Sequence, residues 1–197
     1  MSKLPIRSAR KSAVDYVIRA MRQEYATFLS ELNDEDNNGA LYLPAPQAES
    51  YFRAPPDPTD LVPTNAVVPV YVYPAGDRTV PSRSSGGVSR TAQTNRWQLE
   101  ITLACMMAPD EPFEIDGHEV TSNERLWIRT ELYTGAMIEL IETYGRACEG
   151  ITFFELIGDM PTLYFDQQRR VTGVATTRWQ IEQEVTVPRF RSLPEEP

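Results

Sequence analysis

The stretch Arg96-Trp97-Gln98-Leu99-Glu100-Ile101-Thr102-Leu103 alternates charged or polar residues with apolar ones. Successive side chains of a β-strand point to opposite faces, so this pattern predicts a strand with one apolar and one polar face. We predict a strand over residues 96–107 that packs its apolar face on a core. The fold is built outward from this strand.

A second stretch repeats the pattern. Thr94-Asn95-Arg96-Trp97-Gln98-Leu99-Glu100 is similar to Thr176-Thr177-Arg178-Trp179-Gln180-Ile181-Glu182. The similarity does not extend outward on either side, so it does not indicate a duplicated domain. Two half-buried antiparallel strands meet the same patterning requirement. We therefore expect the first strand and a last one over residues 174–187 to be similarly placed in one sheet.

Two long amphipathic helices are predicted, one before and one after the first strand. Apolar residues recur every three or four positions over residues 8–32 and 123–148. Thr121 and Glu124 form a capping box at the start of the second helix, and Gly145 or Gly150 ends it. The two apolar stripes consist of Val14, Val17, Ile18, Met21, Tyr25, Phe28, Leu29 and Leu32, and of Leu126, Thr130, Tyr133, Met137, Leu140, Ile141 and Tyr144.

Two segments between these elements have the composition of irregular structure. Residues 44–69 hold seven prolines, which no helix and no central strand tolerates. We predict an extended proline-rich arm over residues 44–66, lying over the surface or over a neighbouring subunit. Residues 77–95 are rich in Gly, Ser, Thr and Arg, which predicts a long flexible hairpin loop.

The remaining predicted elements are short. The turn Asp116-Gly117 indicates a small hairpin. Four further strands are predicted over residues 40–43, 67–73, 152–156 and 162–167. The expected fold class is α+β, with a small mixed, mainly antiparallel β-sheet packed against two long α-helices. The whole forms one domain over residues 1–187, followed by a C-terminal tail over residues 188–197.

Composition excludes several function classes. The chain has 197 residues, a net charge of −9 and one histidine, His118. The acidic balance argues against a free-standing nucleic-acid binder, and one histidine excludes sites built on several histidines within a subunit. The amino terminus lacks the apolar stretch of a secretory signal. Two cysteines, Cys105 and Cys148, read as reduced core residues.

The sharpest metal-ligand pattern in the sequence is incomplete. Asp34-Glu35-Asp36-Asn37-Asn38-Gly39 fits the first half of a calcium loop, with oxygen ligands at Asp34, Asp36 and Asn38. Position twelve is Ala45 instead of a bidentate glutamate, and prolines stand where the exiting helix should begin. A polar helix terminus and turn accounts for the same residues. No acid/base pair is recognisable, and neither enzymatic activity nor a cofactor is expected.

The order of elements resembles that of the tail terminator, or tail completion (neck), proteins of long-tailed bacteriophages. The resemblance is carried by the first helix and by the strands Arg96-Trp97-Gln98-Leu99-Glu100-Ile101 and Thr177-Arg178-Trp179-Gln180-Ile181-Glu182. It implies a homo-hexameric ring that caps the tail tube, stops its polymerisation and meets the head connector. The implied location is the neck of the virion, after assembly in the host cytoplasm.

The resemblance also implies partners. These are further copies of the chain, the tail tube protein and the head connector or stopper proteins. DNA passes through the ring without sequence-specific binding, and no membrane is involved. The candidate partner-contact residues are Arg78, Arg83 and Arg90 in the loop, and Tyr51 and Phe52 in the arm.

Two other readings of the sequence stay open. A head-to-tail connector or stopper protein would share the acidic balance and the flexible loops but would sit on the capsid side. A non-viral calcium-binding adaptor module would use the loop that begins at Asp34.

Overall fold

The computed structural model describes residues 4–35, 41–56, 68–76, 92–106, 113–115, 117–165 and 171–186. These residues form an α+β fold in which two long helices pack against a curled, mainly antiparallel sheet. The fold class predicted from the sequence is confirmed at this level. The C-terminal tail and most of the predicted flexible loop lie outside the described residues, as does part of the proline-rich arm.

The described elements follow one another along the chain with two helices and nine strands. They are β1 (Leu4–Pro5), α1 (Ile6–Glu35), β2 (Tyr51–Phe52), β3 (Val70–Ala75), β4 (Ala92–Met106), β5 (Phe113–Ile115), β6 (His118–Val120), α2 (Ser122–Tyr144), β7 (Ile151–Asp159), β8 (Thr162–Phe165) and β9 (Val171–Thr186). Two short 3₁₀ turns, Ala48–Ser50 and Gly145–Ala147, precede β2 and follow α2.

The main sheet is organised around β9. One side of β9 pairs with β4 in antiparallel register along the length of both strands, with Gln98 opposite Gln180. Its other side pairs in succession with β8, β7 and β1. Beyond β4 lie β3 and then β2. Among the described strands, the short β1–β9 and β2–β3 pairs are parallel and the other pairs are antiparallel.

The predicted hairpin forms a separate two-stranded sheet from β5 and β6. Its turn contains Gly117, whose φ of 78° is the left-handed conformation that glycine adopts without strain. His118 follows it and is exposed, as expected for a hairpin residue.

Both helices cover the same face of the main sheet. The hydroxyl of Tyr16 donates to the carbonyl of Tyr144 at 2.8 Å, and that of Tyr25 donates to the carbonyl of Tyr133 at 2.8 Å. These bonds show that α1 and α2 run antiparallel. Among the described residues, no helix is both long enough and apolar enough to cross a bilayer.

The predicted core faces are confirmed. On β4 and β9 the inward-pointing residues are fully buried and the outward ones are polar or charged over the central part of the strands. Cys105 and Cys148 are buried free thiols. Phe28, Leu32 and Tyr144, at the ends of the helical stripes, are only half-buried. The core includes Val17, Met21, Tyr25, Trp97, Leu99, Ile101, Tyr133, Leu140, Trp179 and Ile181.

Several predicted boundaries are wrong. The strand β4 begins at Ala92, so the last four residues of the predicted 77–95 loop belong to the sheet, because β9 is long enough to pair with them. Residues 41–43 form a turn and irregular structure instead of a strand. The helix α2 ends at Tyr144, and Gly145 caps it by donating its backbone N–H to Ile141.

The proline-rich arm is more ordered over its described part than composition indicated. Residues 48–52 form a 3₁₀ turn and the short strand β2, which pairs in parallel with β3. This segment lies between prolines, so its N–H groups remain available for the ladder. The arm therefore enters the sheet of its own chain at this point.

Gly173 sets the distance between α2 and the sheet. A Cβ at this position would lie 2.1 Å from Oγ1 of Thr130 and 2.8 Å from Sγ of Cys105. Oγ1 of Thr130 already forms a hydrogen bond with Sγ of Cys105 at 3.3 Å, and it donates to the carbonyl of Leu126 at 2.7 Å. The absent side chain therefore allows helix and strand to touch.

We expect Gly173→Ala to lower the free energy of unfolding by about 1–3 kcal/mol, because the added methyl group overpacks this contact. Urea denaturation measures the loss. Gly158→Ala in β7 is the matched control, since nothing lies within 4 Å of a Cβ there. Equal effects of the two substitutions would contradict the close approach.

Candidate functional site

The calcium pattern is only partly visible in the structure. Asp34 lies in the last turn of α1 and is exposed, whereas Asp36 and Asn38 lie outside the described residues. Residues 42–47 are irregular and residues 48–50 form a single 3₁₀ turn, so no α-helix follows in this described part of the arm. Within the part of the chain that the structure describes, no three His, Cys, Asp or Glu side chains are grouped for a metal ion.

The predicted partner-contact residues differ in their place in the structure: some lie outside the described residues, one is buried and one is exposed. Arg78, Arg83 and Arg90 lie outside the described residues. Tyr51 is 6% exposed, and its hydroxyl donates to the carbonyl of Met21, so its ring belongs to the core of its own chain. Burial raises the pKa of Tyr51, and the Arg22 guanidinium lies over its ring.

Phe52 is an exposed member of the predicted set. Its side chain is 43% exposed, and its ring stacks on Tyr71 with centroids 5.1 Å apart. Tyr71 lies opposite Thr102 on the outer face of the sheet, the face opposite to that of the core residues Val70 and Val72, and both Tyr71 and Thr102 are buried. Phe52 therefore places an aromatic side chain at the β2 end of that face.

The outer face also carries two ion pairs between β4 and β9, which are related by a local symmetry. We call each of these cross-strand ion pairs a rung; sequence reasoning did not identify them as a site. The repeated sequence pairs with itself in antiparallel register, so that Gln98 and Gln180 mark a local two-fold axis. On one side of this axis, Nε of Arg96 donates to Oε1 of Glu182 at 2.7 Å. The repeat itself was the signal, because antiparallel copies of Arg-Trp-Gln-x-Glu bring unlike charges together.

The second rung lies on the other side of the axis and is less exposed. Nε of Arg178 donates to Oε2 of Glu100 at 2.6 Å, and the hydroxyl of Tyr73 donates to Oε1 of the same carboxylate. The hydrogen bond and charge of Glu100 raise the pKa of Arg178. Burial, together with the bond to Glu100, raises the pKa of Tyr73 to about 12. This carboxylate on β4 is therefore held by two donors, one from each of its neighbouring strands β3 and β9.

Exposed apolar side chains lie at the opposite end of the sheet from Phe52. Ile157 on β7 is 45% exposed, and Met160, just after β7, is 53% exposed. The backbone N–H of Met160 donates to the carbonyl of Thr176, which fixes this segment against β9. Exposed apolar side chains thus lie near both edges of the sheet, with the ion pairs of β4 and β9 between them.

A second feature connects the helices to the start of the proline-rich arm. We call residues 41–44 the strap. The side-chain amide of Asn33 both accepts from the backbone N–H of Leu43 at 2.7 Å and donates to its carbonyl at 3.2 Å. The hydroxyl of Tyr133 donates to the carbonyl of Pro44 at 2.7 Å. Arg129 donates to the carbonyl of Tyr42.

The strap is therefore held by side chains from both helices. Leu43 is 2% exposed, whereas Tyr42 is 56% exposed. Sequence reasoning missed Arg129, although it lies three residues after Leu126 and so falls on the buried side of α2. An arginine at core spacing was the available signal.

Comparison with known proteins assigns no family to the chain. No protein-family model matches it, and no curated protein matches it. The resemblance to phage tail terminators thus stays an expectation drawn from the order of elements.

We expect Glu100 and Arg178 to be energetically coupled by about 0.2–1 kcal/mol, because the carboxylate is largely buried by the sheet. A double-mutant cycle of Glu100→Gln and Arg178→Gln, followed by urea unfolding, measures this coupling. Glu142 on α2 and Arg146 on the 3₁₀ turn that follows it are the control pair, at 4.0 Å and well exposed. A coupling no larger than that of the control pair would count against the rung.

We expect Asn33→Ala to release the strap. The backbone N–H of Leu43 loses its acceptor, so its hydrogen exchange should accelerate, and the free energy of unfolding should fall by about 1 kcal/mol. Exchange followed by NMR measures the first effect, and urea unfolding the second. Asn123→Ala, at an exposed position of α2, is the control. Unchanged protection of Leu43 would show that other contacts hold the strap.

Proposed function

We propose that this protein is a structural protein of the phage neck. It forms a ring of six copies on the end of the tail tube, stops tube polymerisation and joins the tail to the head connector. The α+β fold, with two helices on one face of a mainly antiparallel sheet, supports this proposal because it is the architecture that the resemblance implies. A fold alone does not specify function. The features that support the proposal further lie on the surface of the sheet.

The observation that carries the proposal is the pair of unlike sheet edges. Among the described residues, β2 pairs only with β3, and β7 pairs only with β9. Each edge lies next to exposed apolar side chains, Phe52 at one and Ile157 at the other. Unpaired strand edges with apolar neighbours are sites of association between chains.

The two edges differ in sequence, and this difference favours a ring. A contact between the β2 edge of one copy and the β7 edge of the next is heterologous, since each copy uses two different surfaces. Repeated heterologous contacts give a closed ring when the rotation between copies closes. A two-fold dimer would instead need one edge to pair with itself.

The charge of the chain is compatible with a channel for DNA. A net charge of −9 gives each copy an acidic field that repels phosphates. A ring with this charge lets the duplex pass without binding its sequence. The proposed partners are the tail tube protein on one side and the head connector or stopper proteins on the other, and the proposed location is the virion neck.

Charged substitutions at the two edges test the assembly. We expect Phe52→Asp and Ile157→Lys each to abolish rings, because each places an unpaired charge in the contact between copies. Mass photometry and negative-stain electron microscopy of the purified full-length chain, with and without tail tubes, measure ring formation. Trp127→Lys is the control, since this residue is 40% exposed on α2, away from the sheet edges.

The result in particles tests the function. In the genome that encodes the chain, loss of the protein should give tails of uncontrolled length or tails without heads, as seen by electron microscopy. The edge variants should reproduce this defect and Trp127→Lys should not. Particles with normal joined tails in the absence of the protein would overturn the proposal. A density on the capsid side of the neck would instead identify the connector or stopper alternative.

A further inference from the structure

Arg129 is a buried cation without a carboxylate partner among the described residues. Its side chain lies on α2 and is 8% exposed. One terminal nitrogen, Nη2, donates to the carbonyl of Tyr42 in the strap. Nε is buried, and no acceptor among the described residues lies within hydrogen-bond distance of it. A buried charge with an unused donor costs free energy that a bound counter-ion would recover.

Among the described residues, three other titratable groups act on Arg129, and none of them is a carboxylate. Arg125 lies one turn earlier on the same side of α2, and the other two are Cys105 and Tyr133. Burial lowers the pKa of Arg129, and the charge of Arg125 acts in the same direction. Burial raises the pKa of both Cys105 and Tyr133, so these groups stay neutral at pH 7 and supply no counter-charge.

Two arginines on the strands of the sheet, unlike Arg129 on α2, form ion pairs with carboxylates. Arg96 and Arg178 are both mostly exposed, and each donates to a glutamate carboxylate. The more deeply buried Arg129 donates to a backbone carbonyl, and no carboxylate in the described part of the chain accepts from it. A buried guanidinium needs a counter-charge more than an exposed one does, because it has lost its hydration. In this protein the exposed arginines have carboxylate partners and the buried Arg129 does not, among the described residues, which is the opposite of what stability alone would favour.

We propose that Arg129 binds an oxyanion of the carboxylate or phosphate class, with Arg125 adding positive charge beside it. A guanidinium presents its donors in a planar fork that matches two oxygens of such a group. The strap, in which Tyr42 is 56% exposed, is the segment that the guanidinium contacts. The site is independent of the proposed ring, since it lies at the helices and not at the sheet edges.

A role confined to holding the strap makes a different prediction. The bond to the carbonyl of Tyr42 needs a single donor, which the ammonium group of a lysine also supplies. Oxyanion binding needs the fork, which lysine lacks. Arg129→Lys therefore separates the two roles, because it keeps the charge and a donor while removing Nε.

Thermal unfolding of the full-length chain tests the site with two probes at constant ionic strength. Inorganic phosphate represents a free oxyanion, and a short glutamate-rich peptide represents a carboxylate on a protein segment. We expect either probe to raise the melting temperature by several degrees and to saturate, as binding to the native state requires. Arg129→Lys should lose the shift, whereas the control Arg146→Gln, an exposed arginine on the 3₁₀ turn, should keep it.

The probes also distinguish the source of the anion. Saturation by phosphate alone points to a free ion, and a stronger effect of the peptide points to an acidic protein segment. Phosphate stabilises many proteins by exclusion from their surface, so a shift of equal size in all three proteins would overturn the proposal. If Arg129→Lys does not fold, titration of the unaltered chain by calorimetry decides, and no saturable binding of either probe below about 50 mM would also overturn it.

Discussion

The antiparallel pairing of β4 with β9 is the constraint on which the rest of this structure depends. The register places Trp97 opposite Ile181 and Leu99 opposite Trp179, and all four side chains are fully buried on the inner face. A shift of one residue would move every one of them to the outer face, so the register is strongly specified. The same register brings the charges of the outer face into opposite-sign pairs. The same register therefore buries the apolar side chains of the inner face and pairs the charges of the outer face.

The inner face then determines where the helices lie. Gln183 on β9 accepts from Nε1 of Trp97 at 3.2 Å and donates to the carbonyl of Ala9 at 3.0 Å, which links the strand pair to α1. Its amide is fully buried, and both its oxygen and its nitrogen are paired. At the other end of β9, Gly173 leaves the space that α2 occupies. The buried amide of Gln183 therefore fixes the position of α1, and the absence of a side chain at Gly173 fixes that of α2.

The surfaces that remain combine charged and apolar groups. Ion pairs lie at the centre of β4 and β9, exposed apolar side chains lie near the sheet edges, and the strap holds the start of the proline-rich arm against the helices. In a ring of the proposed kind, the sheet edges would supply the contacts between copies. The buried guanidinium of Arg129 would give the same subunit a separate means of recognising an anionic group. These two features lie on different parts of the molecule, so they can act independently.

Periodicity alone predicted the helices, the β4 and β9 strands and their buried faces, because burial of one face imposes a period of 3.6 or 2 on the sequence. Short local motifs predicted the Asp116-Gly117 hairpin and the Thr121 cap, in which Oγ1 of Thr121 accepts from the N–H of Glu124. These features depend on neighbours close in the chain or on one pattern per element.

Only the tertiary structure decided which of the polar residues meet. Arg178 and Glu100 are far apart in the chain and become partners through the register, while Asn33 and Tyr133 reach the strap because the helices are antiparallel. Tyr51, predicted as a partner contact, is buried by a strand pair that its proline-rich surroundings did not indicate. Local sequence fixes the period and the caps, but contacts between distant side chains depend on strand order and helix placement. Those arise from the packing of the whole chain.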